Sequence, residues 1–409
     1  AFEPYIYKLT DFGKRWMRLD SDLPDDNFVR VVRADPEREG LLYAGSEGGL
    51  FVSFDDGDHW QSLNMNFPTV PITDLRVRQN TLIAATQGRG FWALDELTVI
   101  RQLNVNLSEK RLHVFKPKPS SLMRWGGRTA ANEGKNPPSG VVFSYFLAEE
   151  FEGPLSIDIR DTDGTVVRTY SSEERDFDRC VMGNMTPRLA FSMKYPPMKP
   201  GLNQWTWDMR KEGLTCIDDI RLFAGFSGPT VTPGQYSVSV RIGDHSDSAS
   251  FALSADPRVD ASPEDYLFLD AKRSEAATML NELLEALDNA RIARARIEAL
   301  VLDSGNNAAL KALSEKAINK LSTWENLVTQ TGYKTYEDED SMPPMLDVHI
   351  RHVFDVIDRA GAPVSEGSLQ RLSDLREQWL IAKAQLVAIT ENELSQINEW
   401  AQENNVLHV

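Results

Sequence analysis

The sequence predicts a multidomain chain: partial β-propeller blades over residues 1–104, an immunoglobulin/fibronectin-like β-sandwich over 105–256, and an antiparallel four-helix bundle over 262–409. Three observations lead there. A motif recurs at a spacing of just over 40 residues near the start, the size of a four-stranded propeller blade. Runs of alternating β-branched and aromatic residues follow, punctuated by Gly and Pro. The last third carries a 4-3 apolar rhythm on long stretches free of helix breakers.

The repeat rests on residues 53–60, Ser53-Phe54-Asp55-Asp56-Gly57-Asp58-His59-Trp60, preceded 44 positions earlier by Asp11, Gly13 and Trp16 in register with Asp55, Gly57 and Trp60. A partial third copy matches Ala44–Phe51 with Ala85–Trp92, 41 residues on. Turn punctuation places strands near 28–33, 41–45, 49–54 and 59–63, then near 73–77, 81–86, 90–94 and 97–102, with half a blade before them near 4–8 and 16–19. That is two to three blades. Propellers use four to eight, so the expectation is a chain completed by upstream blades of the same polypeptide or by a partner chain. The Ser-x-Asp-x-Gly-x-x-Trp pattern has a local chemistry. The Asp accepts backbone N–H groups across a tight turn, the Gly supplies a permissive backbone, and the Trp packs between strands. Reading Asp55, Asp56 and Asp58 as a calcium or acid/base cluster is the disfavoured alternative.

These residues, with Gly40–Trp60 and Gln87-Gly88-Arg89-Gly90-Phe91-Trp92 followed by Leu94-Asp95, resemble the last blades of the sortilin-like (VPS10-type) Asp-box, or BNR-repeat, β-propeller family. Bacterial members of that family often carry a glycosyl hydrolase label. Gly134–Gly140, Gly201–Arg210 and Gly228–Tyr236 resemble segments that follow the propeller in the same family, as does a closing helical bundle. The resemblance therefore runs over the whole chain. It implies a ligand surface on the propeller face and assigns no catalytic residue here.

In the middle segment, strand-like runs fall at 141–147, 154–160, 165–170, 203–209, 235–242 and 248–254. Asp163-Gly164 between two of them signals a type I′ hairpin. Asp158, Asp161 and Asp163 lack the downstream bidentate Glu of a calcium loop. Trp205 and Trp207 alternate onto one strand face, where a core role is preferred to sugar stacking. Cys180 and Cys216 are the two cysteines, a candidate disulfide in an exported protein or else two buried thiols. Sequons occur at Asn106 and Asn184.

Ser262-Pro263-Glu264-Asp265 starts the helical part with a capping Ser, Pro in the first turn and acids at the positive end of the dipole. A first helix should end near Gly305, a second span about 307–330, a third about 345–360, and a fourth run for some 40 residues beyond Pro363. His349, His352 and Asp355 fan across one helix and find no Glu-x-x-His partner elsewhere, so solvated or capping roles are preferred to a metal. The acidic run 337–340 reads as solvated charge.

Chemistry is scarce. No nucleophilic triad order, phosphate-binding glycine loop or zinc spacing appears, so no catalytic, cofactor or metal residue is assigned. The net charge is −17, divided −5, −1 and −11 among residues 1–104, 105–260 and 261–409. That balance argues against nucleic acid and anionic membrane surfaces as partners. No apolar run approaches a membrane span. The chain opens Ala1-Phe2-Glu3-Pro4 without Met or an apolar leader, so any export signal is expected to have been removed. The expected function is an exported or cell-envelope protein, periplasmic, secreted or at the cell surface, binding a protein or glycan ligand. The alternative is the accessory part of a polysaccharide-acting glycoside hydrolase whose carboxylates lie upstream. A third reading makes the bundle an assembly device.

Overall fold

A computed structural model describes the chain apart from residues 1–2, 124–137, 174–194, 219, 221, 223–224, 306, 334–337 and 405–409. Within the described residues the fold is mixed, with several β-sheets followed by a C-terminal helical region. Cys180, the Asn184 sequon and most of Gly134–Gly140 lie outside them.

The chain begins with a two-stranded antiparallel sheet, β1 (Tyr7–Lys8) and β2 (Met17–Arg18). Next comes a four-stranded antiparallel meander, β3 (Val29–Ala34), β4 (Leu42–Ser46), β5 (Gly49–Ser53) and β6 (Gln61–Ser62). A three-stranded meander follows, β7 (Ile72–Arg78), β8 (Thr81–Thr86) and β9 (Phe91–Leu94). All five residues of β5 are buried, because the four-stranded sheet is covered on both faces. Tyr43, Leu50 and Val52 pack with Ile72, Leu75 and Leu82, while Ala44, Phe51 and Trp60 pack with Ile6 and Leu23. Gly45 sits where the two meanders meet. A Cβ there would lie 2.5 Å from Ile72 Cγ2 and 2.9 Å from Val31 Cγ1. Gly45→Val is therefore expected to overpack this contact and cost about 1–3 kcal/mol, read as a lower denaturant midpoint with an unchanged slope.

The strand expected at 97–102 is a helix instead, α1 (Thr98–Gln102). Its β-branched run favours a strand locally, but tertiary bonds hold the helix. Arg101 Nε donates to both oxygens of buried Asp35 at 3.0 Å, and Arg38 Nη1 donates to the Ile100 and Arg101 carbonyls. Asp35 also accepts from Tyr43 Oη at 3.1 Å and from the Glu37 and Arg38 N–H groups. A satisfied buried carboxylate of this kind outweighs propensity differences of a few tenths of a kcal/mol.

The middle segment holds a three-stranded sheet, β10 (Leu112–Val114), β12 (Val141–Leu147) and β15 (Gly201–Trp207), and a five-stranded sheet. The latter is ordered β11 (Ser120–Ser121), β17 (His245–Ser254), β16 (Gly234–Ile242), β13 (Leu155–Arg160) and β14 (Val166–Ser171). The two share one core in which Trp207 meets Phe143, Tyr236 and Phe251. β10 and β11 are too short to be read from the sequence. The 161–165 turn is not type I′: Gly164 has φ 80° while Asp163 has none of the positive φ that turn requires at both central residues. Asp161 Oδ1 instead accepts the Asp163 and Thr165 N–H groups, leaving its carboxylate occupied.

The helical region comprises α2 (Pro263–Asp303), α3 (Ala308–Val328), the single turn α4 (Asp338–Ser341), α5 (Leu346–Ala360), α6 (Glu366–Ile389) and α7 (Ser395–Glu403). Ser262 and Asp265 form a reciprocal capping box at the start of α2. The 40-residue helix expected after Pro363 is broken by a π-helical turn, Thr390–Leu394, between α6 and α7. Leu214, Ile217, Leu222 and Phe226, from the middle segment, pack into the helical core beside Leu280, Leu283 and Phe354. The junction is polar and buried. Asp358 on α5 accepts from the Thr230 N–H and Oγ1 at 2.9 and 3.0 Å and from Arg210 Nη1 at 3.0 Å.

Asp347, in the first turn of α5, is 1% exposed and accepts from Thr329 Oγ1 at 2.7 Å. Burial pushes its carboxyl up to about 6, against the hydrogen bonds from Thr329 and the Val348 N–H. The folded value lies above the unfolded one, so folding takes up a proton. Its contribution is complete below about pH 4 and is lost as pH rises through about 6. With about 1.4 kcal/mol per pH unit, this amounts to about 2–3 kcal/mol. Asp347→Asn should flatten the stability profile between pH 4 and 6.5, measured by urea unfolding across that range.

Candidate functional site

The candidate site is the region around the two aspartate turns, between the β1–β2 sheet and the four-stranded meander. In the second turn Ser53 Oγ donates to Asp55 Oδ1 at 2.9 Å and accepts the Gly57 N–H at 2.9 Å. Asp55 Oδ1 accepts the His59 N–H at 2.9 Å, and Oδ2 lies 2.7 Å from His59 Nδ1. Burial raises the Asp55 carboxyl, yet the bonds from His59 and Ser53 outweigh it and hold the group below the ordinary range. The same bond, with the Asp55 charge, lifts the His59 imidazole. The first turn repeats the design. Asp11 Oδ1 accepts the Lys14 and Arg15 N–H groups at 3.0 and 2.9 Å, which holds its carboxyl low. The backbones coincide: Phe12 and Gly13 have φ of 58° and 90°, Asp56 and Gly57 of 63° and 98°. Gly57 is required twice over, since a Cβ would also lie 2.9 Å from Leu19 Cδ1.

The two tryptophans differ. Trp60 is 5% exposed and its indole N–H donates to the Leu19 carbonyl at 2.7 Å, from the strand pair that covers it. Trp16 is 65% exposed and meets only the edge of Tyr7 among the described rings, at 5.9 Å. Tyr5 and Tyr7 stack at 6.3 Å with 16° between planes. The Arg18 guanidinium lies 4.8 Å over the Tyr5 ring. Leu9 and Phe12 are exposed as well, so one face of β1–β2 is apolar and open, while exposed Met17 pairs with Lys8 and lies on the other face. That other face supplies Ile6 to the core.

A cleft of about 390 Å³ opens between β1 and β3, lined by Tyr5, Tyr7, Lys8, Val29, Arg30 and Asp56 among others. Its charges are paired, Lys8 with Asp56 and Arg30 with Glu47. The carboxylates of Asp11, Asp55 and Asp56 are likewise committed to N–H groups or to basic side chains, while Asp58 is exposed.

The sequence-derived residues Asp11, Gly13, Trp16, Ser53, Asp55, Gly57 and Trp60 thus lie in two turns of like backbone, of which the second reaches the cleft through Asp56. Cys216 is disulfide-bonded, while Cys180 lies outside the described residues. Asp158 is held by Arg241 Nη2 at 2.8 Å and Thr169 Oγ1 at 2.9 Å, and Asp355 by Arg359. Among the described residues no group of three or more His, Cys, Asp or Glu could hold a metal. Two contributors escaped the sequence reading. Asp22 Oδ2 accepts the Trp60 N–H at 3.1 Å from 38 residues away, and no local pattern announces it. Tyr5 and Tyr7 alternate with buried Ile6, a strand signal that shows which face is apolar but not that it stays open.

No family model and no curated protein matches this chain. Among solved structures, the extracellular domain of a hybrid two-component system from B. thetaiotaomicron is similar over 63% of this chain, at 8% identity and a TM-score of 0.20. The chain spans 30% of the length of that structure, and a likeness at this level carries no argument about fold or function. No helix among the described residues is long and apolar enough to cross a membrane.

Proposed function

We propose that the chain is part of an exported or cell-envelope binding protein of the Asp-box propeller type, in which sheets stacked around the aspartate turns present a ligand surface. In this reading the two sheets of the middle segment form an immunoglobulin/fibronectin-like sandwich, the C-terminal helices form a four-helix bundle, and both serve as rigid accessory modules. The observation that carries it is the pair of tryptophans in equivalent turns. One unit's Trp60 is sealed by the neighbouring strand pair, while Trp16 and the Tyr5–Tyr7 face repeat that surface with nothing described upon it. Equivalent units stack by equivalent faces, so a further β unit, from the same polypeptide or a partner chain, covers Tyr5, Tyr7 and Trp16.

The experiment compares acrylamide quenching of Trp16 in the natural-length protein and in residues 1–409, with Trp16→Phe identifying its signal. Protection in the natural-length protein supports the reading; equal quenching in both refutes the added unit. Release of reducing ends from a plant and microbial glycan panel by the natural-length protein would replace binding with hydrolysis.

A further inference from the structure

A second surface lies on the helical region, remote from the aspartate turns. Helix α6 buries Leu372, Leu375, Trp379, Ala382 and Ile389, the inward seam expected of it. Its other side is also apolar. Leu380, Ile381 and Val387 are 57, 55 and 48% exposed, and exposed Ala384 and Ala388 join them. A helix apolar on both sides normally has neighbours on both sides. The row Ile381, Gln385, Ala388 runs at helical spacing into a groove of about 720 Å³ between α3 and α6, floored by Trp324, Leu327, Met345 and Ile389. Leu327 is itself 45% exposed. The groove and stripe form one surface more than two helical turns long.

The charges around this surface identify its occupant. The cations beside the stripe are paired within the chain, Lys383 with Glu282 and Arg376 with Glu275, while Lys316 and Lys320 at the far wall share the single carboxylate of Glu393. The carboxylates that bracket the stripe are not. Glu377 and Glu391 are both exposed, and no ion pair among the described residues occupies either. The groove walls carry carboxamides, Asn319 and Asn326 on α3 and Gln385 and Asn392 on α6 and the π turn. These are neutral and offer both a donor and an acceptor. The surface is thus an apolar floor in a wall of carboxamides, with Lys320 held by Glu393 on the α3 side and the unpaired carboxylates of Glu377 and Glu391 at the two ends of the α6 stripe. A second copy of α6 lying antiparallel about Ala384 would set Glu377 against Glu391, a like-charge pairing at both ends, which disfavours self-association.

We propose that α3 and α6 form a docking groove for an amphipathic helix of a partner protein, one that presents aliphatic residues at i, i+4 and i+7 and carries Lys or Arg where it meets Glu377 and Glu391. The mode is helix-in-groove, with steering by the surplus acid of the helical region.

The test uses a fluorescein-labelled 16-residue amphipathic helix with Leu at i, i+4, i+7 and i+11 and Lys on the flanking positions. A counterpart has Glu for every Lys, and both are titrated with the 409-residue chain by anisotropy. The Lys peptide should bind at least tenfold more tightly than the Glu peptide. Leu380→Ser with Ile381→Ser should weaken it at least tenfold, and Glu377→Gln with Glu391→Gln should weaken it severalfold and flatten its salt dependence. All four positions are exposed, and unchanged circular dichroism and unfolding midpoints establish that the variants fold. Equal binding of both peptides, no binding, or binding insensitive to the serine variant would overturn the proposal. So would a doubled mass in light scattering that the serine variant abolishes, which would make the occupant a second copy.

Discussion

Replacing Asp358 by alanine is expected to destabilise the helical region by about 3–5 kcal/mol and to loosen its junction with the middle segment. Its side chain is 1% exposed and accepts from the Thr230 N–H, Thr230 Oγ1 and Arg210, with Arg273 Nη1 at 3.6 Å. Arg273 is itself 2% exposed. Removing the carboxylate leaves buried cationic charge with less compensation and strips the Thr230 N–H of its acceptor, and breaking a buried pair from one side carries a penalty of that size. Asp358→Asn keeps the acceptor and the volume but loses the charge, so it should fall between wild type and alanine. Denaturant unfolding followed by near-ultraviolet circular dichroism reads the stability. Limited proteolysis in the 211–231 segment reads the junction, because Lys211 bonds to Asp270 and the Thr215 N–H to Asn281 across the same boundary. An alanine variant within 1 kcal/mol of wild type would mean that the apolar contacts of Leu214 and Phe226, with the remaining hydrogen bonds across the boundary, hold the two parts together without Asp358.

Trp60→Ala is expected to cost about 3–5 kcal/mol, whereas Trp16→Ala, at the equivalent position of the equivalent turn, should cost less than about 1 kcal/mol in this chain. Trp60 fills the space between Phe51, Ile6 and Leu23 and satisfies the Leu19 carbonyl, so its loss creates a cavity and leaves an acceptor unpaired. Trp16 contributes an edge contact with Tyr7 and little burial. Thermal unfolding of the two variants measures the contrast. Where the proposed covering unit is bound, the cost of Trp16→Ala should rise toward that of Trp60→Ala.

What could be read from local pattern is specific. The strands β3 to β5, β7 to β9 and β12 to β17 follow from β-branched and aromatic runs between turn residues, and the helices α2, α3 and α5 from a 3.6-residue apolar period. The aspartate turns were legible because each is closed within seven residues. Elements that depended on distant partners were not: α1, held by Asp35 from 66 residues away; the π turn, whose buried Glu393 answers Lys316 and Lys320 on another helix; and the turn at Asp161, where side-chain acceptors decided the geometry. The candidate site divides the same way. Its turn residues are written in the chain, but the openness of the Tyr5–Tyr7 face appears only once the sheets are stacked.

By itself the sequence determined a β-rich chain ending in helices, its repeated aspartate turns and an acidic surplus in the last third, because these depend on composition and on bonds between near neighbours. Only the tertiary structure decided that Trp60 is sealed while Trp16 is not, that Leu214, Ile217, Leu222 and Phe226 pack on the helices, and that α6 keeps an apolar face outward. Burial is set by which surfaces meet, and two motifs that share Asp-x-Gly-x-x-Trp receive opposite exposures according to what packs on each.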